Sequence, residues 1–253
     1  MISVKEPQSN RRFSVIAADC PWSYDDKSLN RGGALRHYQT MKLEDIKRMN
    51  VKDYAADDCL LAMWATMPLL QEALDVMRDW GFRYLTGGFV WVKRSKRGWE
   101  NMAKLVRDDM ASFHDLAQFD SKMYSRSFLK DWFGPEWLRN ICGSEKRFDI
   151  NQGHYTRSNS ELVLFGGIGR AAQLVKSKNV RQVIDAPNME HSKKPDEFYR
   201  RMERLCGDVE RLELFSRSGR PGWAALGDQM DDPDYLLDDN FQIVPAKKGL
   251  TIT

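Results

Sequence analysis

Apolar positions along this chain come in short runs separated by longer amphipathic stretches, the pattern of strands in a largely parallel sheet joined by crossover helices. Phe13 to Cys20, Cys59 to Ala65, Tyr84 to Val92, Glu161 to Phe165, Gln182 to Asp185 and Arg211 to Phe215 predict strands. Between the second and third, Pro68 to Met77 predicts a helix. Pro68 suits its first turn, Leu70, Leu74 and Met77 share a face, and Gly81 closes it. Pro195 to Leu205 repeats the design: Asp196 and Glu197 favour the positive end of the helix dipole, Phe198, Met202 and Leu205 form the buried stripe, and Gly207 is the cap. Two stretches break the alternation. The polar segment from Asp25 to Arg36, with Gly32-Gly33, predicts a loop. Residues 94–157 insert two helical patterns, about Asn101 to Phe119 and Lys122 to Phe133, followed by a polar stretch ending at Arg157. The expectation is a single α/β domain over residues 1–253, a mostly parallel sheet with helices on both faces, carrying an insertion at about 94–157.

Composition narrows this only a little. A hydrophobic content of 42% and a charged content of 30% are those of an ordinary globular protein, and the net charge of +3 permits a polyanionic partner without requiring one. Cys20, Cys59, Cys142 and Cys206 are scattered, and with the four histidines they give no metal-ligand spacing, so no metal is expected. They read as reduced thiols of a cytosolic protein. The N-terminus lacks a signal-peptide pattern and no apolar run reaches membrane-spanning length, so a cytoplasmic protein without membrane contact is expected. The insertion mixes Arg94, Lys96, Arg97, Lys104, Arg107 and Arg126 with Trp99, Tyr124, Trp132 and Trp137, diluted by Asp108, Asp109 and Asp115. A nucleic-acid surface and solvated helix faces both fit that mixture.

Candidate chemistry sits at the end of the first strand, in Asp19-Cys20-Pro21-Trp22. A buried strand that stops in an acid, a carbonyl, a rigid proline and a large aromatic makes a polar clamp beside a flat surface. Such a clamp suits a planar base carrying an amino group. Asp19 and the backbone carbonyl of Cys20 can accept the two amino hydrogens, while Trp22 or Tyr24 covers a ring face. An Asp-x-Pro turn after a strand is the plainer reading of the same residues.

Four further segments accompany the clamp: His37-Tyr38-Gln39-Thr40-Met41, Trp91-Val92-Lys93, His191-Ser192-Lys193-Lys194-Pro195-Asp196-Glu197, and Leu214-Phe215-Ser216-Arg217 followed by Arg220-Pro221-Gly222-Trp223 and Leu226-Gly227-Asp228-Gln229. In this order, from about Phe13 to Gln229 and apart from most of the insertion, the chain resembles the adenine methyltransferase family that includes the catalytic subunit of the messenger-RNA m6A writer and its bacterial and phage DNA-methylating relatives.

The resemblance implies a Rossmann-like methyltransferase fold with permuted motif order and S-adenosylmethionine as cofactor. The amine-binding tetrapeptide comes first and the cofactor-binding elements last, which accounts for the lack of a glycine-rich fingerprint after the first strand. It maps the catalytic tetrapeptide on Asp19, Cys20, Pro21 and Trp22, with Cys20 where the family usually has proline. Tyr24, Tyr38 and Lys93 fall on the substrate side. Lys194 is implied to meet the cofactor's carboxylate, with a solvated lysine as the alternative. Arg217 is implied to contact the cofactor, Phe215 to line the adenosine pocket, and Asp228 and Gln229 to hold the ribose, Asp228 replacing the family's asparagine. Glu161 also falls near the pocket, unless it is an edge-strand surface acid. The implied activity is methyl transfer to the N6 amine of adenine in DNA. RNA as substrate, or a non-catalytic nucleic-acid-binding subunit, are the alternatives, and the assembly is expected to be a monomer or homodimer.

Overall fold

A computed structural model of the 253-residue chain describes residues 11–23, 40–95, 97–117, 134, 137, 148, 155–188, 193–227 and 230–246. Among them, the strands are β1 (Phe13–Ala18), β2 (Ala55–Ala65), β3 (Arg83–Arg94), β4 (Ser160–Ile168), β5 (Val183–Pro187), β6 (Arg211–Leu214), β7 (Ala224–Leu226), β8 (Tyr235–Leu237) and β9 (Ile243–Pro245), and the α-helices are α1 (Leu43–Lys47), α2 (Leu70–Asp79), α3 (Gly98–Ala117) and α4 (Asp196–Cys206). The sheet order is β5-β3-β4-β2-β1-β6-β7-β8-β9. β1 pairs in parallel with β2 on one side and β6 on the other, and β6–β7 and β7–β8 are parallel as well. β4 runs antiparallel to β2, and β9 antiparallel to β8.

All six strands expected from apolar runs are present, and both helices predicted outside the insertion are found. Hydrophobic runs carry no sign of strand direction, so the antiparallel β4, slotted between β2 and β3, was not foreseen. β2 starts earlier than its apolar run, at Ala55, because the acids there serve a turn: the Asp58 carboxylate accepts the amide of Arg170 at 2.7 Å.

Both faces of the sheet are covered. Ile16, Ala18, Leu61, Met63, Leu212 and Leu214 pack in one core cluster with Ile46 of α1, Ala73, Val76 and Met77 of α2, and Trp80. The alternate positions turn to α4, where the Trp64 ring lies 4.9 Å from that of Phe198. α4 follows the expected plan: Pro195 is its N-cap residue, Phe198, Tyr199, Met202, Leu205 and Cys206 are buried, and Gly207 ends it at φ 70°.

The chain divides into two compact units, residues 1–91, 161–184 and 193–253 in the first, and 92–160 with 185–192 in the second. The second takes in the sequence read as an insertion. Arg94 ties its two pieces together, its guanidinium donating to the carboxylate and the carbonyl of Asp185, both at 2.9 Å. This base of the insertion is therefore committed to an ion pair. In α3, which begins at Gly98, Lys104 and Arg107 are exposed but so is Asp108. The helix expected at 122–133 and the loop at 25–36 lie outside the described residues.

The first unit has a topological switch point at β1. From β1 the chain proceeds to β2 on one flank, while β6, β7 and β8 build outward on the other. In open α/β sheets ligands bind beyond the carboxyl ends of the strands at such a point. Asp19 follows β1 there, and Phe215 follows β6.

Candidate active site

A cavity of about 560 Å³ opens at this switch point, lined by Asp19 and Pro21, by Phe215 and Arg217, by Gly227, and by side chains of the 40–45 and 236–241 segments. Its size is that of a small-molecule or cofactor site. Asp19 and Pro21, and Phe215 and Arg217 almost two hundred positions later, thus share one cavity wall.

The backbone around it is specially built. Phe215 adopts φ 62°, a left-handed conformation that is uncommon for a bulky residue and costs about 1–3 kcal/mol. The next residue, Ser216, donates its amide to the Leu226 carbonyl at 2.7 Å, joining the turns after β6 and β7. That approach explains Gly227: a Cβ there would lie 1.9 Å from the Ser216 carbonyl oxygen. Gly227→Ala is therefore expected to destabilise the fold by about 2–4 kcal/mol. Thermal melting checks it, and a melting point unchanged from the parent would refute the close approach. Residues 216–223 are pinned to α4: Arg220 pairs with Asp196 and stacks its guanidinium 4.0 Å from the Tyr199 ring centroid, and the Trp223 indole donates to Glu203 at 2.9 Å. Ser216 and Tyr199 both donate to the carboxylate of Glu213, whose pKa burial raises.

Asp19 is held by a neighbour. The Lys194 ammonium lies 3.1 Å from Asp19 Oδ1 and 2.9 Å from Glu161 Oε2. The lysine side chain is 8% exposed, that of Glu161 10%, and that of Asp19 24%. The same ammonium lies 5.1 Å from the centroid of the Trp64 ring. Lys194, implied to meet a cofactor carboxylate, is thus placed between two protein carboxylates, and the solvated alternative is excluded by its burial. Glu161 is no surface acid on an edge: it lies on β4, inside the sheet, and is buried.

Burial raises the Asp19 pKa most strongly; the Lys194 charge opposes this, Glu161 adds to it, and Arg217 lowers it. For Lys194, burial works against the charged form, but the two carboxylates outweigh it and the pKa moves up. The trio therefore gathers two carboxylates around one ammonium in a low-dielectric wall, where the lysine offsets part of the desolvation that raises the Asp19 pKa.

The rest of the tetrapeptide corrects the picture of an open clamp. Trp22 is not a stacking surface here: it is 6% exposed and belongs to the core cluster. The cause is local pairing, since Met41 donates its amide to the Pro21 carbonyl at 2.9 Å and a bridge sets Met41 beside Trp22, turning the indole inward. The Cys20 thiol is buried too, and desolvation raises its pKa well above the ordinary value. Its carbonyl accepts the Trp22 amide at 2.8 Å, which leaves the oxygen's second lone pair for another donor. Tyr24, Tyr38, Asp228 and Gln229 lie outside the described residues. Lys93 belongs to the second unit, where its amide donates to the Asn159 carbonyl at 2.8 Å. Thr40 and Met41, at the end of the His37-Tyr38-Gln39-Thr40-Met41 segment, line the cavity, and so do Lys42, Asp45 and the 236–241 segment, which were not singled out.

An acid at the tip of the first strand of a mostly parallel sheet, beside a cavity walled by the last strands, is the arrangement of a Rossmann-like α/β methyltransferase fold. Residues 13–110 and 129–229 match the MT-A70 family, and the chain belongs to it. MT-A70 proteins are N6-adenine methyltransferases that use S-adenosylmethionine as methyl donor. Among curated relatives, a type II methyltransferase, M.MunI, from Mycoplasma sp is 26% identical over 239 residues, covering 88% of this chain and 79% of the relative. The N(6)-adenosine-methyltransferase catalytic subunit METTL3 of Homo sapiens is 23% identical over 232 residues, covering 89% of this chain but only 30% of its own length. A probable N(6)-adenosine-methyltransferase MT-A70-like protein of Oryza sativa is 23% identical over 222 residues, covering 87% of this chain and 23% of its own. Among the described residues no helix is long and apolar enough to cross a membrane, and no group of three or more His, Cys, Asp or Glu is gathered to hold a metal.

Proposed function

We propose that this chain methylates the N6 amine of adenine in DNA, with Asp19 and the Cys20 carbonyl receiving the two amino hydrogens. The observation that carries the reading is the Asp19 carboxylate at the switch-point cavity, paired with the Lys194 ammonium at 3.1 Å. The cavity suits the family's methyl donor: Phe215 offers a ring face for a purine, Arg217 a cation for a carboxylate, and the acids of its wall a favourable field for a sulfonium. S-adenosylmethionine, when bound, supplies an electrophilic methyl group on that sulfonium.

The protein's own part follows from the acceptor's chemistry. The lone pair of adenine's amino nitrogen is delocalised into the ring, so the nitrogen is a poor nucleophile. Two acceptors set to take both hydrogens draw it toward pyramidal geometry and orient its lone pair. Asp19 serves as a hydrogen-bond acceptor and need not be a strong base, because a methylated ammonium loses its proton readily. Lys194 acts through Asp19 and is a positioning residue. Pro21 fixes the chain direction just after the two acceptors. In duplex DNA the adenine has to leave the stack, at a cost of a few kcal/mol. With Trp22 in the core, Tyr24 is the aromatic of this segment assigned to stack on it. Tyr38 and Lys93 are assigned to the substrate, and Asp228 and Gln229 to the ribose of the donor.

Coverage favours DNA: the chain aligns with 79% of a type II methyltransferase but with 30% of an adenosine methyltransferase. Incubation with methyl-labelled S-adenosylmethionine and DNA, RNA or no nucleic acid tests the proposal. Label recovered as N6-methyladenine in DNA is the expected result. Label in RNA alone would move the substrate class, and no transfer to either would leave a nucleic-acid-binding subunit as the better reading.

A further inference from the structure

The MT-A70 match ends at residue 229, but the cavity wall continues beyond it through Leu236, Leu237, Asp238, Asp239 and Phe241. These residues belong to the hairpin of β8 and β9. Its turn is firmly made: Asp238 Oδ1 accepts the amides of Asn240 and Gln242, both at 2.8 Å, and the Phe241 amide donates to the Asp238 carbonyl at 2.9 Å. The hairpin is also fastened to the first half of the chain. The Ile243 amide donates to the Asn50 side chain at 2.7 Å, and the Tyr54 hydroxyl to the Ile243 carbonyl at 2.9 Å.

None of these bonds calls for an aromatic residue at 241. Phe241 has φ 60°, where glycine or asparagine would sit without strain. Among the described residues the non-glycine positions with positive φ are Phe215 and Phe241, and both line this one cavity. Two bulky rings held in a disfavoured backbone conformation at a single cavity point to a requirement for the rings themselves. Asp239 is exposed and adds acceptor oxygens to the same wall.

We infer that the β8–β9 hairpin, outside the family match, forms the purine end of the methyl-donor site, with Phe241 as a stacking face alongside Phe215 and Asp239 as an acceptor for the nucleoside's donor groups. The inference rests on the proposed donor and deepens that reading.

Phe241→Gly separates a ligand-binding ring from a merely structural one, because glycine takes φ 60° freely. The variant is expected to melt no lower than the parent by more than the loss of one half-buried ring, yet to bind S-adenosylmethionine about tenfold more weakly in calorimetric titration. The nucleoside fragment 5′-methylthioadenosine should weaken by the same factor, since the lost contact is at the purine. Phe241→Leu keeps apolar bulk without a π face and should show the same weakening; it carries the test if the glycine variant fails to fold. Parent-like affinity of either folded variant for both compounds would overturn the hairpin's role while leaving the proposed donor intact. A parent chain that binds neither compound would overturn both.

Discussion

Asp19→Ala is expected to lower the turnover of methyl transfer by roughly 10²–10³-fold at saturating donor, while the affinity for S-adenosylmethionine changes by no more than a few-fold. The size follows from removing one of the two acceptors that would orient the amine. The selectivity follows from the surroundings of the acid. Lys194 retains Glu161 at 2.9 Å when Asp19 is truncated, so no buried cation is orphaned and the wall should hold. Phe215, Arg217 and Gly227, which line the proposed donor end of the cavity, are untouched. Single-turnover transfer of a labelled methyl group to DNA, with calorimetry of donor binding on the same preparation, reads both quantities. Turnover within tenfold of the parent would remove Asp19 from the reaction. A parallel collapse of donor affinity would make it a donor ligand instead.

The same trio shows how far the sequence could be read. Asp19 was read from the end of the first strand and Phe215 and Arg217 from the family resemblance; all three lie past strand ends at the switch point and line one cavity. Lys194 was singled out through the resemblance, but its contacts to Asp19 and Glu161 were not legible. Its partner Glu161 is remote in sequence, on a strand whose antiparallel insertion between β2 and β3 leaves no mark in hydrophobic periodicity. The one available sign was an acid opening the apolar run Glu161-Leu162-Val163-Leu164-Phe165, which a buried strand tolerates only if a cation meets it. Trp22 was misread for a related reason: a tryptophan beside a turn looks exposed until the parallel bridge to Met41 is known. β7, β8 and β9 have three residues each, too short for a period of two to register. The Asp238-Asp239-Asn240 turn between two apolar triplets was the usable signal for the last pair, since acids and asparagine favour such turns.

Lys194→Met is expected to destabilise the fold by about 3–5 kcal/mol near pH 8, because it leaves two buried carboxylates facing each other without the ammonium between them. For a chain of this size that lowers the melting temperature by roughly 10 °C. The deficit should depend on pH in a definite direction. In the parent, Lys194 already opposes the rise that burial imposes on the Asp19 pKa. Without it, one of the two carboxyls takes a still higher pKa in the folded state, while the unfolded chain keeps the ordinary value. The folded variant then binds more protons than the unfolded chain, so its stability increases as pH falls through the raised pKa, down to the ordinary carboxylate range. Lys194→Met should therefore recover part of its loss between pH 8 and pH 5, and Glu161→Gln in the same chain should recover most of it at pH 8, a coupling that a double-mutant cycle measures directly. Because Asp19 would be protonated at higher pH in the variant, the acid limb of any residual methyl transfer should also move upward. Melting within about 2 °C of the parent at pH 8 would show that the lysine is not what holds the two acids together.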